Sequence, residues 1–565
     1  MQKVLTAAEM REVDRLTTER YGIPSIILME NAAHAVARVI TEKLGGSVKG
    51  KSILILCGKG NNGGDGFALA RVCRQGGASV TVCFLFPDEE IGGDAKQNLK
   101  ILRNLHSDQT YGTEAPICLA EVGTHRSFFD PLDPFLGPDV VVDAVFGTGL
   151  VRPLDDELSV LARQYNSCLS DQKRPLFVSV DIPSGLPSDT EFPIGEHFNA
   201  DITVTFTSPK PANVLVPAAR SCGELLVANI GSPQELIDEQ PSQLYLAERE
   251  DAATWLKRTR FSSDSYKNKR GHALLIAGSE NYSGAAVLAA NAAMRSGVGL
   301  VTLVTPGSSK VSVESRVLPE VIVRGAAETD GGAIAEEAYD ELGNLIAKAD
   351  AVAIGSGMSQ GESTAAFVRR AVAECRQPLI LDADALNVLA PLGANWPTAD
   401  AAEPPKGGTP NVILTPHEGE FLRLLGDEEN HRDGETPPPL LRKERSKIKD
   451  RVAAVREFAQ THDVILVLKG ERVLIGHPDG RVVVNPTGNS GLGKAGNGDT
   501  LAGILAGFVA QAAKMDTDIF ETVVAAVYIA GTAGDIAETK FGKRVMTASD
   551  VRECLTEVFA ELEKG

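Results

Sequence analysis

The chain has 565 residues, with 56 Lys and Arg against 75 Asp and Glu, a formal net charge of −19. At roughly 100 to 200 residues per domain this length predicts two or more domains, and the negative charge excludes nucleic acid and anionic membrane as expected partners. A composition 43% hydrophobic and 23% charged argues against extensive disorder.

The first forty residues read as two helices, the first opened by a capping box of Thr6 and Glu9 with Met10, Val13 and Leu16 on one face, the second following Pro24. Their apolar stripes are read as core, with a homo-oligomeric contact as the other use. The amino terminus soon meets Glu9, Arg11, Glu12 and Asp14, so no secretory signal is read there. The eight cysteines are scattered without a C-x-x-C pair, as expected of reduced thiols in a cytoplasmic protein.

Strand-like runs follow at 52–57, 79–85, 139–145, 176–181 and 202–206, separated by helix-like 65–76 and 155–167. This alternation predicts a parallel sheet with crossover helices. Polar, proline-bearing sequence over 231–271 breaks the pattern, and the domain boundary is expected near 240, giving domains 1–240 and 241–565. The alternation then restarts, with strands expected at 272–277, 299–304, 350–355, 378–382, 412–415 and 463–468 and helices at 284–296, 447–461 and 498–512. Two stretches rich in Pro, Gly and charge, 393–411 and 427–446, are expected as surface insertions or lids.

Three segments of the first domain leave strand ends: Gly58–Gly66, Asp143–Pro153 and Asp181–Leu186. In a parallel sheet all emerge at the carboxyl edge, where doubly wound folds bind ligands. Asp65, Asp143 and Asp181 supply carboxylates, Asn62 and Ser184 neutral oxygens, and the glycines at 147 and 149 backbone amides. That set suits a hard monovalent or divalent cation and a phosphate. For each Asp the plainer role is a strand-end or helix cap.

Gly-Asn-Asn-Gly-Gly-Asp-Gly, Phe-Gly-Thr-Gly-Leu-x-Arg-Pro and Asp-Ile-Pro-Ser-Gly-Leu, in that order, resemble the NAD(P)H-hydrate epimerase family over about the first 230 residues. The resemblance implies a Rossmann-like domain in which Asn61, Asn62, Gly63, Gly64 and Asp65, with Gly147, Thr148, Gly149, Leu150, Val151, Arg152 and Pro153, contact a hydrated dinucleotide. It further implies that Asn62, Asp143 and Ser184 surround K+ and that Asp181 is the catalytic base. The chain departs from the family pattern at Asp155, Asp156 and Pro187.

In the second domain, residues 488–500 place glycines directly before an apolar helix. Ala495 stands where a Walker A motif needs Ser or Thr, so a standard P-loop is disfavoured. Instead Gly496, Asn497 and Gly498 can present amides to an anion, with Asp499 placed to take a proton from an attacking hydroxyl. This arrangement resembles the ribokinase-like superfamily. With Ser283–Ala286, Arg295–Val301, Ile354–Gly357, Leu414–Glu420 and Leu468–Gly470 it resembles the NAD(P)H-hydrate dehydratase family over about 265–562, departing at Tyr266 and Ser356.

That resemblance implies that Gly299, Gly357 and His417 line the hydrated nicotinamide and that Asp499 is catalytic. It also implies that Lys469, Gly470, Glu471, Arg472 and Val473, with Asn489, Ser490, Gly491, Leu492, Gly493, Lys494, Ala495, Gly496, Asn497 and Gly498, hold the nucleotide. The two halves together resemble bifunctional NAD(P)H-hydrate repair enzymes: two three-layer α/β domains acting on hydrated NADH and NADPH, with ADP as the phosphoryl donor the resemblance implies, ATP as the alternative that no residue decides against, and Mg2+ beside it. Two other readings stay open: a small-molecule kinase fused to a regulatory dinucleotide-binding module, and a first domain that only binds or scaffolds.

Overall fold

Apolar β-branched runs such as Ser-Ile-Leu-Ile-Leu-Cys become buried parallel strands, and the intervening amphipathic segments become helices laid over both sheet faces. The structure, a computed structural model, describes residues 1–107, 117–121, 137–167, 174–393, 396, 412–426, 448 and 450–564. They form two units, Lys3–Ser242 and Gln243–Gly565 with Met1 and Gln2. Apart from Gly393 and Trp396, the expected insertions at 393–411 and 427–446 lie outside the described residues.

The sheet of the first unit is ordered Ile117–Glu121, Ser79–Phe84, Ser52–Cys57, Val140–Ala144, Leu176–Val180, Ile202–Phe206 and Glu224–Ala228, all parallel. From Ser52–Cys57 the chain winds outward in one direction, and from Val140–Ala144 in the other. The topological switch point therefore lies between these two strands, whose register pairs Leu56 with Asp143. Helices Ser25–Lys43 and Asn61–Gln75 bury their apolar faces in one core layer, and Asp156–Ser167 seats Leu158 and Ala162 in the other beside Phe177 and Phe198.

The helix expected at 65–76 begins at Asn61, so Asp65 lies inside the helix and does not cap it. The glycines permit this. A Cβ on Gly63 would stand 1.9 Å from the carbonyl oxygen of Gly58, which lets the first turn press on the strand end.

In the second unit the order runs Leu244–Leu246, Val482–Asn485, Val473–Gly476, Ile465–Leu468, Val412–Leu414, Leu379–Leu381, Ala351–Ile354, His272–Ile276, Leu300–Pro306 and Ile322–Ala326. Val473–Gly476 is antiparallel to both neighbours, while the strands from Ile465–Leu468 to Ile322–Ala326 are parallel. Its switch point lies between His272–Ile276 and Ala351–Ile354. Helices Ser283–Arg295 and Asn497–Met515 cross closely here, a Cβ on Gly503 standing 2.0 Å from the carbonyl oxygen of Ala289. Trp255 stacks on Phe508 at 4.2 Å. Helix Ile519–Phe541 is long and apolar enough to cross a membrane, yet most of it is buried within its unit, as the central helix of a large core is.

Candidate functional site

In the first unit the loops after Cys57 and Ala144 open on either side of the switch point, and the turn after Val180 joins them. Asp143 is fully buried and accepts hydrogen bonds from Ser184 N (2.8 Å), Ser184 Oγ (2.5 Å), Ser179 Oγ (3.0 Å) and Val145 N (3.3 Å). Burial raises its carboxyl above the usual carboxylate range, and these hydrogen bonds oppose the rise. Ser184 Oγ also accepts from Phe146 N at 2.8 Å, tying the second loop to the third.

Asp181 adopts a left-handed backbone, φ 68°, a conformation that costs a non-glycine residue of order 1–3 kcal/mol and concentrates at functional sites. Its Oδ1 accepts from Thr205 Oγ1 at 2.9 Å and from Lys210 Nζ at 2.7 Å. Lys210 is almost fully buried, and its other donors reach Thr205 Oγ1 (2.9 Å) and the carbonyl oxygen of Phe206 (3.1 Å). A Cβ on Gly147 would lie 3.1 Å from Asp181 Oδ2 and 3.5 Å from Asn62 Oδ1, so these three residues meet at one point.

Asp65 is buried beside them. Burial pushes its carboxyl well above the usual range, repulsion from Asp181 and Asp14 adds to this, and Lys210 opposes it. Asp14, on helix Ala7–Tyr21, is pushed up to about 6, mainly by burial. Asn61 is exposed at the amino end of its helix and Gly64 buried against Met29. Of the 147–153 loop, Val151, Arg152 and Pro153 are exposed, Leu150 is anchored in the core, and the Thr148 carbonyl accepts from Ser188 Oγ at 3.4 Å. Lys210 and Asp14 carry no role in the sequence reading. The signal for Lys210 was its place between Pro209 and Pro211, just past a strand end.

In the second unit Asp499 sits in the first turn of helix Asn497–Met515, whose cap Gly496 has φ 92°. Its carboxyl is pushed up to about 6 by burial and by the nearby Asp382 carboxylate, against a hydrogen bond from Ser356 and the charge of Lys469. Asn497 Oδ1 and Thr500 Oγ1, at the same helix start, are buried without a partner among the described residues. Lys469 Nζ donates to Asp382 Oδ1 at 2.8 Å and lies 3.9 Å from Glu420 Oε2. Burial favours the neutral amine of Lys469, but these carboxylates outweigh it and hold its pKa above the ordinary value.

His417 caps helix Glu418–Leu424: its Nδ1 accepts from Glu420 N at 3.1 Å, and its backbone N donates to Glu420 Oε2 at 2.8 Å. Burial lowers its pKa, and the neighbouring Lys469 pulls the same way against Glu420. A parallel bridge joins His417 to Lys469. Gly357, φ 65°, lies in the switch-point loop, its carbonyl oxygen accepting from Ser279 Oγ at 2.9 Å.

The structure thus gathers Gly357, His417, Lys469, Gly498 and Asp499 at the carboxyl edge of the sheet. Gly299 is not among them. It lies at the amino end of strand Leu300–Pro306, donating to the Arg270 carbonyl at 3.3 Å, and a Cβ there would meet the Lys267 carbonyl oxygen at 1.9 Å. Close packing accounts for this glycine.

Lys494 likewise has a local task, its Nζ donating to the carbonyls of Arg544 (2.7 Å) and Met546 (2.9 Å) and fastening the glycine-rich loop. Asn489 braces the same loop by accepting from Gly491 N at 2.9 Å and donating to Asp535 Oδ1 at 3.0 Å. Ser490–Leu492 forms a single 3-10 turn. In the other nucleotide segment Gly470 lies against Arg451, and Arg472 Nη1 donates to the Pro486 carbonyl at 2.6 Å just ahead of Val473. The sequence reading missed Asp382, although it directly follows a strand, as Asp181 does.

Both units are therefore doubly wound α/β folds with a polar crevice at the switch point, one built around an ion-paired Asp and the other around an Asp at a helix amino end. Residues 25–212 match a family model described as YjeF-related protein N-terminus, and residues 273–557 one described as NAD(P)H-hydrate dehydratase. The bifunctional NAD(P)H-hydrate repair enzyme of Moorella thermoacetica is 36% identical over 99% of this chain and 97% of its own. That of Salinibacter ruber is 34% identical over 99% of this chain and 96% of its own. A crystal structure of ADP/ATP-dependent NAD(P)H-hydrate dehydratase from Bacillus subtilis, co-crystallised with ATP and Mg2+, is 30% identical with TM-score 0.43, covering 56% of this chain and 99% of that one. The chain belongs to the family of bifunctional NAD(P)H-hydrate repair enzymes.

Proposed function

We propose that the chain repairs hydrated NADH and NADPH in the cytoplasm, the Lys3–Ser242 unit interconverting the R and S epimers and the other unit dehydrating the S form. Family membership supports the pair of reactions. The observations that carry the chemistry are the buried ion pair of Asp181 with Lys210 in the first crevice and, in the second, the half-buried Asp499 at a helix amino end, its carboxyl pushed up to about 6.

In the first unit Asp181, oriented by Thr205 and Lys210, takes a proton from the substrate and returns it once the hydroxyl-bearing carbon has changed configuration, so that no net proton is lost. The amides of the Asn61 helix start and the 147–153 loop receive the dinucleotide phosphates. Asn62, Asp143 and Ser184 fit K+: each offers a side-chain oxygen, and Asp143 is a buried carboxylate that accepts from the neutral donors Ser179, Ser184 and Val145. Held there, the ion would offset the buried charge of Asp143 and steady the loops that frame the substrate.

In the second unit Asp499 accepts the proton of the substrate hydroxyl as its oxygen attacks the terminal phosphoryl group of ADP. Attack forms the phosphate ester and releases AMP, and the ester then loses phosphate and a proton to restore NADH or NADPH. The amides at Gly496–Gly498 and the Lys469 ammonium balance charge on the moving phosphoryl group. Mg2+, which is usually held by one or two carboxylates together with substrate phosphates, would join the nucleotide in this crevice.

The test incubates the protein with a mixture of R and S NADH hydrates, adds ADP or ATP separately, and follows the return of reduced nicotinamide absorbance. Complete, fast recovery with ADP is the expected result. Rapid recovery of the S portion alone would remove the epimerase assignment. A stable phosphorylated product, with no reduced nicotinamide, would establish the kinase reading instead.

A further inference from the structure

We propose that Asp382 is a positioning residue of the phosphoryl-transfer site, fixing the Lys469 ammonium against the amino end of helix Asn497–Met515. The inference rests on the dehydratase reading above. Asp382 is 2% exposed at the end of strand Leu379–Leu381, and its Oδ1 receives two donors, Lys469 Nζ at 2.8 Å and Thr415 Oγ1 at 2.7 Å. A Cβ on Gly498 would stand 3.6 Å from Lys469 Nζ and 4.0 Å from Asp382 Oδ2, so the ion pair lies directly beside the amides of the anion hole.

The backbone around Asp382 is held in an unusual shape. Ala383 has φ 48°, and the Asp382 carbonyl oxygen occupies the space of a Cβ on Gly355, 1.8 Å from its ideal place. A lysine is a point charge on a four-carbon stem, and its reach permits more than one partner. Glu420 Oε2, 3.9 Å away, is the competing partner in this crevice, and without Asp382 the ammonium is drawn toward it and away from Gly498. The charged groups acting on Asp499 are Asp382, Lys469 and Asp384, with the Ser356 hydroxyl.

Asp382→Asn keeps the side-chain shape and a partner for Thr415 while removing the charge. In the full-length protein, with the S hydrate and ADP, kcat is expected to fall about 100-fold, the scale of a misplaced catalytic group, with a smaller change in KM for ADP. The acid limb of the pH profile is expected to move to lower pH, because the carboxylate that raises the pKa of Asp499 is gone. Thr415→Val, which removes only the supporting hydroxyl, is expected to give a smaller loss of kcat with the protein still folded. Asp382→Asn added to Lys469→Met is expected to cost far less than the product of the single effects.

A lowered melting temperature with unchanged kcat and pH limb in both Asp382→Asn and Thr415→Val would overturn the inference, as would independent, multiplying effects of the Asp382 and Lys469 substitutions. An inactive wild-type protein would instead overturn the activity on which the inference rests.

Discussion

With Asp499 as the proposed base and Ser356 beside it, the second site has a pH response that can be worked out. A base must be ionised to accept a proton, and the Asp499 pKa is pushed up to about 6, so dehydration is expected to fall as pH drops through about 6. The Ser356 hydrogen bond favours the carboxylate, so Ser356→Ala raises the pKa further and moves that limb to higher pH, which a kcat profile between pH 5 and 8 checks. In the first site Lys210 is the sensitive residue. Lys210→Met leaves Asp181 in a nearly buried setting without its cation, and removing one partner of such a pair costs about 3–5 kcal/mol. Loss of epimerisation together with a lower melting temperature is expected. Asp382 and Lys210 escaped the sequence reading for one reason: a charged residue at a strand end reads as a cap or turn until the partner that neutralises it, far away in the chain, is known.

At the scale of elements, helix Asn61–Gln75 is the part whose placement matters most, because its first turn carries Asn62 and Asp65 and its glycines let that turn approach Gly58 and Met29. Gly63→Ala puts a methyl group 1.9 Å from a backbone oxygen, and overpacking of this kind costs about 1–3 kcal/mol and shifts the helix. Epimerisation is expected to fall about 100-fold while dehydration of the S form stays near wild type, measured with separated epimers. The central strands were legible because their β-branched runs are buried on both faces and bounded by glycines and polar residues, so 52–57 and 202–206 match the observed strands end to end. Helices Ala338–Lys348, Glu362–Glu374 and Ala548–Leu562 were not assigned from sequence. Their short apolar stripes are interrupted by charge and gain definition only against the sheet or helix they cover. The hairpin Val473–Asn485 was passed over because the parallel alternation around it predicts crossover helices and not tight reversals. The glycine-rich turn 58–66 was visible as a ligand loop, yet that its last six residues already belong to a helix depends on a strand end that only the fold brings against them.

For the whole molecule, the chemistry explains why two sites share a chain. Hydration of the ring produces both epimers, and a dehydratase that accepts the S form alone leaves the R form behind unless an epimerase returns it. In the proposed mechanism each reaction has its own unit and its own Asp, so each is expected to be removable without the other. Asp181→Asn is expected to convert the S portion of a mixture quickly and then slow to the spontaneous rate of epimerisation. Asp499→Asn is expected to equilibrate the epimers without restoring reduced nicotinamide. Mixing the two variants in equal amounts then discriminates how the hydrate passes between sites. Exchange of epimers through solution predicts full recovery by the mixture, at a rate set by the concentrations of the two intact sites and rising as both are increased together. Persistence of the R fraction in the mixture, while the wild-type chain clears it, would mean that an epimer formed on one chain is consumed only on that same chain.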